Sequence, residues 1–282
     1  MSTSATAPPA GTITVNGVRL YYELHGRGQP LVLVHGSWGD ARNWRFVVPG
    51  LAESFRVVVY DRRGHSRSQR PDTQGSVDED GDDLAALLEA LDLAPAHVVT
   101  NSYGGNIALR LATRRPEVFR SLSCHEPPLW SLLEDDPEHR EILQQGARSL
   151  EAVGQRIAQG DHEGAARQFV EEVAFGPGAW ERELPPELRA IFVDNAPTFL
   201  DEFQDPNVVR VDKAALSQLE LPVRLTQGSE SPPTFPAVID RLVELIPRVS
   251  REIINGAAHV PQLTMPERYV QVTTRALQRA AA

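Results

Sequence analysis

The chain has 282 residues, a length that one α/β domain with an inserted helical segment fills without a second core. Its 41% hydrophobic and 23% charged residues are ordinary for a globular protein, and no apolar run is long enough to cross a bilayer, which excludes a membrane-spanning class. A formal charge of -10 repels phosphate and argues against nucleic acid as a partner.

The N-terminal MSTSATAPPAG has neither a basic start nor an apolar stretch, so residues 1–11 read as a disordered leader and the expected location is the cytoplasm. Runs at Thr12 to Val15 and Val18 to Leu24 flank Asn16-Gly17, a strong hairpin signal. Apolar, β-branched runs follow at Pro30 to Val34, Arg56 to Tyr60 and His97 to Thr100, separated by helical patterning, which is the rhythm of a parallel sheet. Between Asp78 and Leu93, leucines 84, 87, 88 and 91 share one face of a helix. Another strand is expected at Arg120 to His125; it carries the only cysteine, Cys124, which reads as structural.

From 129 to 212 the chain changes character to a helical insertion, with helices expected at Glu151 to Ala158 and Glu163 to Val173 and Pro-rich breaks at 176–186 and 196–206. Alternation resumes with a strand at Pro222 to Gln227, a helix at Phe235 to Leu245, a strand at Arg251 to Ile254 and a closing helix from Pro266. The expected organisation is a parallel α/β core of 12–128 and 213–282 interrupted once by a helical cap of 129–212.

The chemistry concentrates where His97-Val-Val-Thr-Asn-Ser-Tyr-Gly-Gly-Asn106 runs from a strand into a helix. A serine lifted on that turn, here Ser102, faces the unpaired N–H groups and positive end of the helix. The match to G-x-S-x-G has one relaxed position, because Thr100 stands where Gly is common. Without chemistry, Ser102 would be an N-cap residue. A serine hydroxyl needs a base to take its proton, and of the eight histidines only His259 follows the last expected strand, in a loop that can return to the sheet's C-terminal edge. His25, His139 and His162 read as surface residues. An oxyanion needs N–H donors: the candidates are the backbone groups of Tyr103, directly after the serine, and of Ser37 in His35-Gly-Ser-Trp-Gly39, where Gly36 allows close approach.

Taken together, Val34-His-Gly36, Asp61-Arg-Arg-Gly-His-Ser66, Asn101-Ser-Tyr-Gly-Gly105 and Gly256-Ala-Ala-His259 resemble the α/β-hydrolase family from about residue 12 to 280. The resemblance implies a mostly parallel eight-stranded sheet flanked by helices, a cap inserted after the sixth strand, and a triad in the order nucleophile, acid, histidine. It assigns Asp61 and Arg63 to a structural turn. Most members place an Asp three residues after the Gly ending the penultimate strand, but in Gly228-Ser-Glu-Ser231 that position is Ser231. Glu126, at a strand end before two prolines, is the preferred acid, and Glu230 is the alternative. A subset of the family uses the Glu126 position, and Cys124-His125-Glu126 resembles the corresponding segment of the zearalenone lactonases. Strand alternation puts the His125 side chain opposite to its neighbour's, under the sheet.

The expected function is serine hydrolysis of an ester or lactone of a small, largely apolar or aromatic compound through Ser102, His259 and Glu126, with no metal or organic cofactor. Trp38, Trp130, Trp180 and Phe199 are candidates to line the pocket; for Trp180 and Phe199, packing between cap and core is the equal alternative. A serine at the elbow argues against epoxide hydrolase and haloalkane dehalogenase chemistry, which needs a carboxylate there. C–C bond hydrolysis of a diketone is the second reading, and a non-hydrolytic binding or cyclase protein on the same scaffold the third; a homodimer is left open.

Overall fold

The structure is a computed structural model and describes residues 10–280; residues 1–9, most of the expected leader, lie outside them. Eight strands form one sheet: β1 (Ala10–Val15), β2 (Val18–His25), β3 (Gln29–Val34), β4 (Phe55–Tyr60), β5 (Ala96–Asn101), β6 (Phe119–His125), β7 (Val223–Gly228) and β8 (Val249–Ile254). Their order is β1-β2-β4-β3-β5-β6-β7-β8. β2 pairs antiparallel with both β1 and β4; the other pairs are parallel, as the apolar runs of β3 and β4 suit strands buried on both faces. The opening hairpin turns at Asn16 and Gly17, both left-handed at φ 47 and 77, the pair of positive angles that a two-residue turn demands. β1 begins two residues before the expected Thr12.

Among the helices of seven or more residues, α1 (Val77–Ala90) is capped by Ser76, whose hydroxyl accepts from the Glu79 N–H at 3.2 Å, and it buries Leu84, Leu87 and Leu88 against the sheet. α2 (Tyr103–Arg114) follows β5 directly. Between β6 and β7 lie α3 (Arg140–Ala158), α4 (His162–Gln168), a π-helical segment (Phe169–Ala174) and α5 (Pro186–Gln204); α6 (Thr234–Leu245) and α7 (Pro266–Ala280) complete the core. The helices between β6 and β7 have their own apolar cluster, built on Val153, Val170, Leu188 and Phe192.

Two expectations about this segment need correcting. The helix at Glu151 to Ala158 is the last part of a 19-residue helix that starts at Arg140. The expected break at 196–206 is absent: Pro197 lies inside α5, which runs on to Gln204. Proline removes the N–H that would bond the Val193 carbonyl, but burial of Phe192, Ala196 and Phe199 holds the helix on, and nearby Thr198 and Arg70 donate to the Asn195 and Pro197 carbonyls at 2.8 and 2.9 Å. Pro186, by contrast, starts the helix, where a missing N–H costs nothing. No helix among the described residues is long and apolar enough to cross a membrane.

Candidate active site

β3 lies between β4 and β5, so the chain diverges to either side of it, and the loops at the C-terminal ends of β3, β5 and β6 converge there. Ser102 follows β5 with φ 54 and ψ -129, a strained conformation for a residue with a side chain, and its N–H bonds the His125 carbonyl of β6 at 2.9 Å. The turn is possible because its neighbours are bare. A Cβ on Gly104 would sit 2.5 Å from the Val34 carbonyl oxygen, and one on Gly36 would sit 2.9 Å from Ser102 Cβ. Thr100, the relaxed motif position, is fully buried within β5. Tyr103 opens α2, so its N–H belongs to the first turn, where helical donors have no intrahelical acceptor.

Glu126 repeats the geometry one strand over. Asn101 pairs with His125, so Ser102 and Glu126 follow adjacent strand ends in the same register, and Glu126 is also left-handed, at φ 49. Its Oε1 accepts the Gly228 N–H at 2.7 Å, and its Oε2 lies 2.6 Å from His259 Nδ1. Burial, the largest influence, works to raise this carboxyl; His125 beside it and the hydrogen bond with His259 outweigh burial and hold it down at about 2.

His259 lies in the loop after β8. Asn101 Nδ2 donates to the His259 carbonyl at 2.9 Å, tying that loop to the residue before Ser102. The ring stacks on Phe235 at 4.2 Å between centroids and meets Phe175 edge-on at 5.4 Å. Glu230 is not brought to this histidine: it is exposed, with its carboxylate accepting from the Ser229 hydroxyl at 3.1 Å. His125 is buried, bonded to Thr226 at 2.9 Å and packed against Tyr269 of α7, but it does not point wholly away from its neighbour. Alternation ends where Glu126 turns left-handed, and His125 Nε2 comes within 3.7 Å of Glu126 Oε2. Burial pushes the Cys124 thiol up to about 12, that of a packed side chain.

A cavity of about 530 Å³ opens beside Ser102, with Ser37, Tyr103, Trp130, Phe199 and Phe235 on its wall. Two expected lining residues are not there. Trp38, left-handed at φ 66, is fully buried, stacks on Phe199 at 4.9 Å and meets Phe169 at a tilt at 5.2 Å, while Trp180 is buried within the apolar cluster of the helical segment. Both indoles gain more by packing between layers than by facing an open space. Gly36 touches Ser102 rather than the cavity wall.

A second cavity, about 390 Å³ and lined by Arg62, His65, Ser76 and Asp80, shares Tyr103 and Glu202 with the first. Arg62, 1% exposed, donates to Asp80 at 2.7 Å, to Glu202 of α5 at 2.6 Å and to the Gly36 carbonyl at 3.2 Å, and its guanidinium lies over the Tyr103 ring at 4.7 Å. Burial raises the Asp80 carboxyl to about 7; Arg62 opposes the rise, and Glu202 and Asp83 add to it. His35 is neutral, pushed down to about 3 by burial and by Arg62; it accepts the Arg62 N–H at Nε2 and donates from Nδ1 to the Gly36 carbonyl. Asp61 accepts from the Ala41 N–H and from Arg67, and Arg63 pairs with Glu79 and Asp83. Sequence reasoning missed Arg62, Glu202, Asn101 and Phe235. Arg62 follows Asp61 in a quoted motif, but its partner Glu202 is 140 residues away. Among the described residues no group of three His, Cys, Asp or Glu side chains could hold a metal.

Residues 29–266 match the family model described as alpha/beta hydrolase fold. The chain belongs to that family. An uncharacterized hydrolase of Bacillus subtilis (strain 168), YraK, is 38% identical over 143 residues, 50% of this chain and 51% of the relative. The 2-hydroxymuconate semialdehyde hydrolase of Pseudomonas sp. (strain CF600) is 40% identical over 127 residues, 43% of this chain and 45% of the relative. The chain thus spans about half the length of these curated relatives. Among solved structures, Est816, described as an N-acyl homoserine lactone degrading enzyme, is 28% identical with a TM-score of 0.74, covering 94% of this chain and 99% of that one. The protein has the α/β-hydrolase fold.

Proposed function

We propose that this hydrolase cleaves an ester or lactone of a small, largely apolar or aromatic compound, with Ser102 as nucleophile, His259 as base and Glu126 as the acid. The observation that carries the reading is the 2.6 Å contact between His259 Nδ1 and Glu126 Oε2 beside the strained turn that presents Ser102. Glu126 would hold the proton on Nδ1, leaving Nε2 to take the Ser102 proton as Oγ attacks the carbonyl carbon. The backbone N–H groups of Ser37 and Tyr103 would receive the oxyanion. As the tetrahedral intermediate collapses, His259 gives the proton to the departing alkoxide; it then draws a proton from a water that attacks the acyl carbon, and hands that proton to Ser102 Oγ as the acyl–Oγ bond breaks. Residues 129–212 would act as the cap over this pocket. The apolar wall of the cavity supports a compound of modest size, and the likeness to a lactone-degrading enzyme and to the Cys-His-Glu segment of the zearalenone lactonases supports a lactone.

A second reading is favoured by the 40% identity to 2-hydroxymuconate semialdehyde hydrolase: hydrolysis of a C–C bond in a diketone. The two readings part on substrate. The protein would be offered an aryl ester, an aromatic macrolactone and a vinylogous 1,5-diketone, and the products identified by mass spectrometry. Turnover of the ester or lactone with a transient acyl adduct on Ser102 is expected. Turnover of the diketone alone would move the function to C–C hydrolysis.

A further inference from the structure

We propose that the favoured substrate carries a hydroxyl or N–H donor remote from the reacting carbonyl, and that the Oε2 atom of Glu202 receives it; this deepens the serine-hydrolase reading and rests on it. Glu202, on α5 and 6% exposed, forms part of the wall of both cavities. Its Oε1 is taken by Arg62 at 2.6 Å, whereas no hydrogen bond from the described residues reaches Oε2, which is also not among the fully enclosed polar atoms. The carboxylate cannot swing to find another partner. Arg62 holds it, and Arg62 is itself fixed by Asp80, by the Gly36 carbonyl and by the Tyr103 ring.

The result is a rigid, charged acceptor on the edge of a largely apolar space that also contains Ser102. In the free enzyme, water can satisfy such an oxygen. A substrate that fills the cavity displaces that water, and an apolar group in its place leaves a buried carboxylate oxygen unpaired. A substrate with an O–H or N–H at that point replaces the lost bond, so the site discriminates by penalising the analogue that lacks the donor. The same arrangement ties recognition to the helical segment: the acceptor comes from α5, while the cation that fixes it belongs to the loop after β4 and touches the carbonyl of Gly36, next to Ser37.

The test compares kcat/KM for p-nitrophenyl alkanoates of increasing chain length, each with its ω-hydroxy and ω-methoxy analogues. In the parent protein, one chain length should favour hydroxy over methoxy by about tenfold or more, the range of a charge-assisted hydrogen bond. In Glu202→Gln, Arg62 has only donors to offer and therefore keeps the amide oxygen, which turns the amide NH2 toward the cavity. The preference for hydroxy over methoxy should then be lost, because a hydroxyl and a methoxy oxygen can both accept from that NH2. Comparison within the parent needs no variant to fold. Turnover of the plain esters with no hydroxy preference at any length would overturn the proposal and leave the hydrolase reading standing, as would a Glu202→Gln enzyme that keeps the parent preference. Absence of turnover of every ester, together with an unlabelled Ser102, would overturn the hydrolase reading and this one with it.

Discussion

Glu126 and Asp80 are both almost fully buried, yet their carboxyls move in opposite directions. Burial raises both. Glu126 has its own donors, the Gly228 N–H and His259, and lies beside His125, so it is held at about 2. Asp80 shares one cation, Arg62, with a second carboxylate, Glu202, and rises to about 7. Burial therefore does not decide whether a carboxylate stays charged; the number of donors not shared with a competitor does. The first cluster is suited to stabilise an imidazolium that forms and vanishes during turnover, and the second to hold a fixed acceptor and join helix to core.

The comparison breaks at different strengths. Ser102→Ala should remove about a millionfold of kcat in ester hydrolysis, as expected for loss of a nucleophile that acts as a unit with its base. Glu126→Gln keeps the shape but loses the charge that orients and stabilises His259, and should cost about ten-thousandfold in kcat with KM little changed; a loss under tenfold would take Glu126 out of the role. Asp80→Asn should leave its largest mark on the pH dependence of stability. A carboxyl raised from 3.8 to about 7 binds a proton more tightly folded than unfolded, so its contribution is present below pH 3.8 and is lost as pH rises through about 7. Glu126, held below its ordinary 4.5, contributes in the opposite sense, present above pH 4.5 and lost as pH falls through about 2. Thermal melts of Asp80→Asn between pH 4 and pH 8, conditions chosen as a rough bracket of that window, should therefore fall less steeply with pH than those of the parent. The smallest effect is expected from Glu230→Gln: exposed and with its side chain bonded only to Ser229, it should change stability by less than about 0.5 kcal/mol and leave turnover unaltered.

Much of the fold is legible in the sequence because strands buried on both faces favour continuous apolar runs, and β3, β4 and the centre of β5 are such runs. The elbow is legible for a similarly local reason: Gly104, beside Ser102, is needed where backbone and backbone nearly touch. Glu126 stands out because two prolines fix the chain just past a strand end. Long-range decisions are not legible. Pro197 is locally a helix breaker, and only the packing of Phe192, Ala196 and Phe199 shows why α5 continues through it. Trp38 is an aromatic of the kind that lines pockets, but the layer its indole enters depends on Phe169 and Phe199, which lie far along the chain. Arg62 and Glu202 carry no local sign of each other at all.

The central claim is that Ser102 is activated by a histidine that Glu126, and not Glu230, holds in place. Its most direct test is the rate at which a fluorophosphonate labels the parent protein, Glu126→Gln and Glu230→Gln, with the adduct located by peptide mass spectrometry. The account predicts rapid labelling of Ser102 in the parent and in Glu230→Gln and greatly slowed labelling in Glu126→Gln. An unlabelled parent, or labelling lost only in Glu230→Gln, would contradict it.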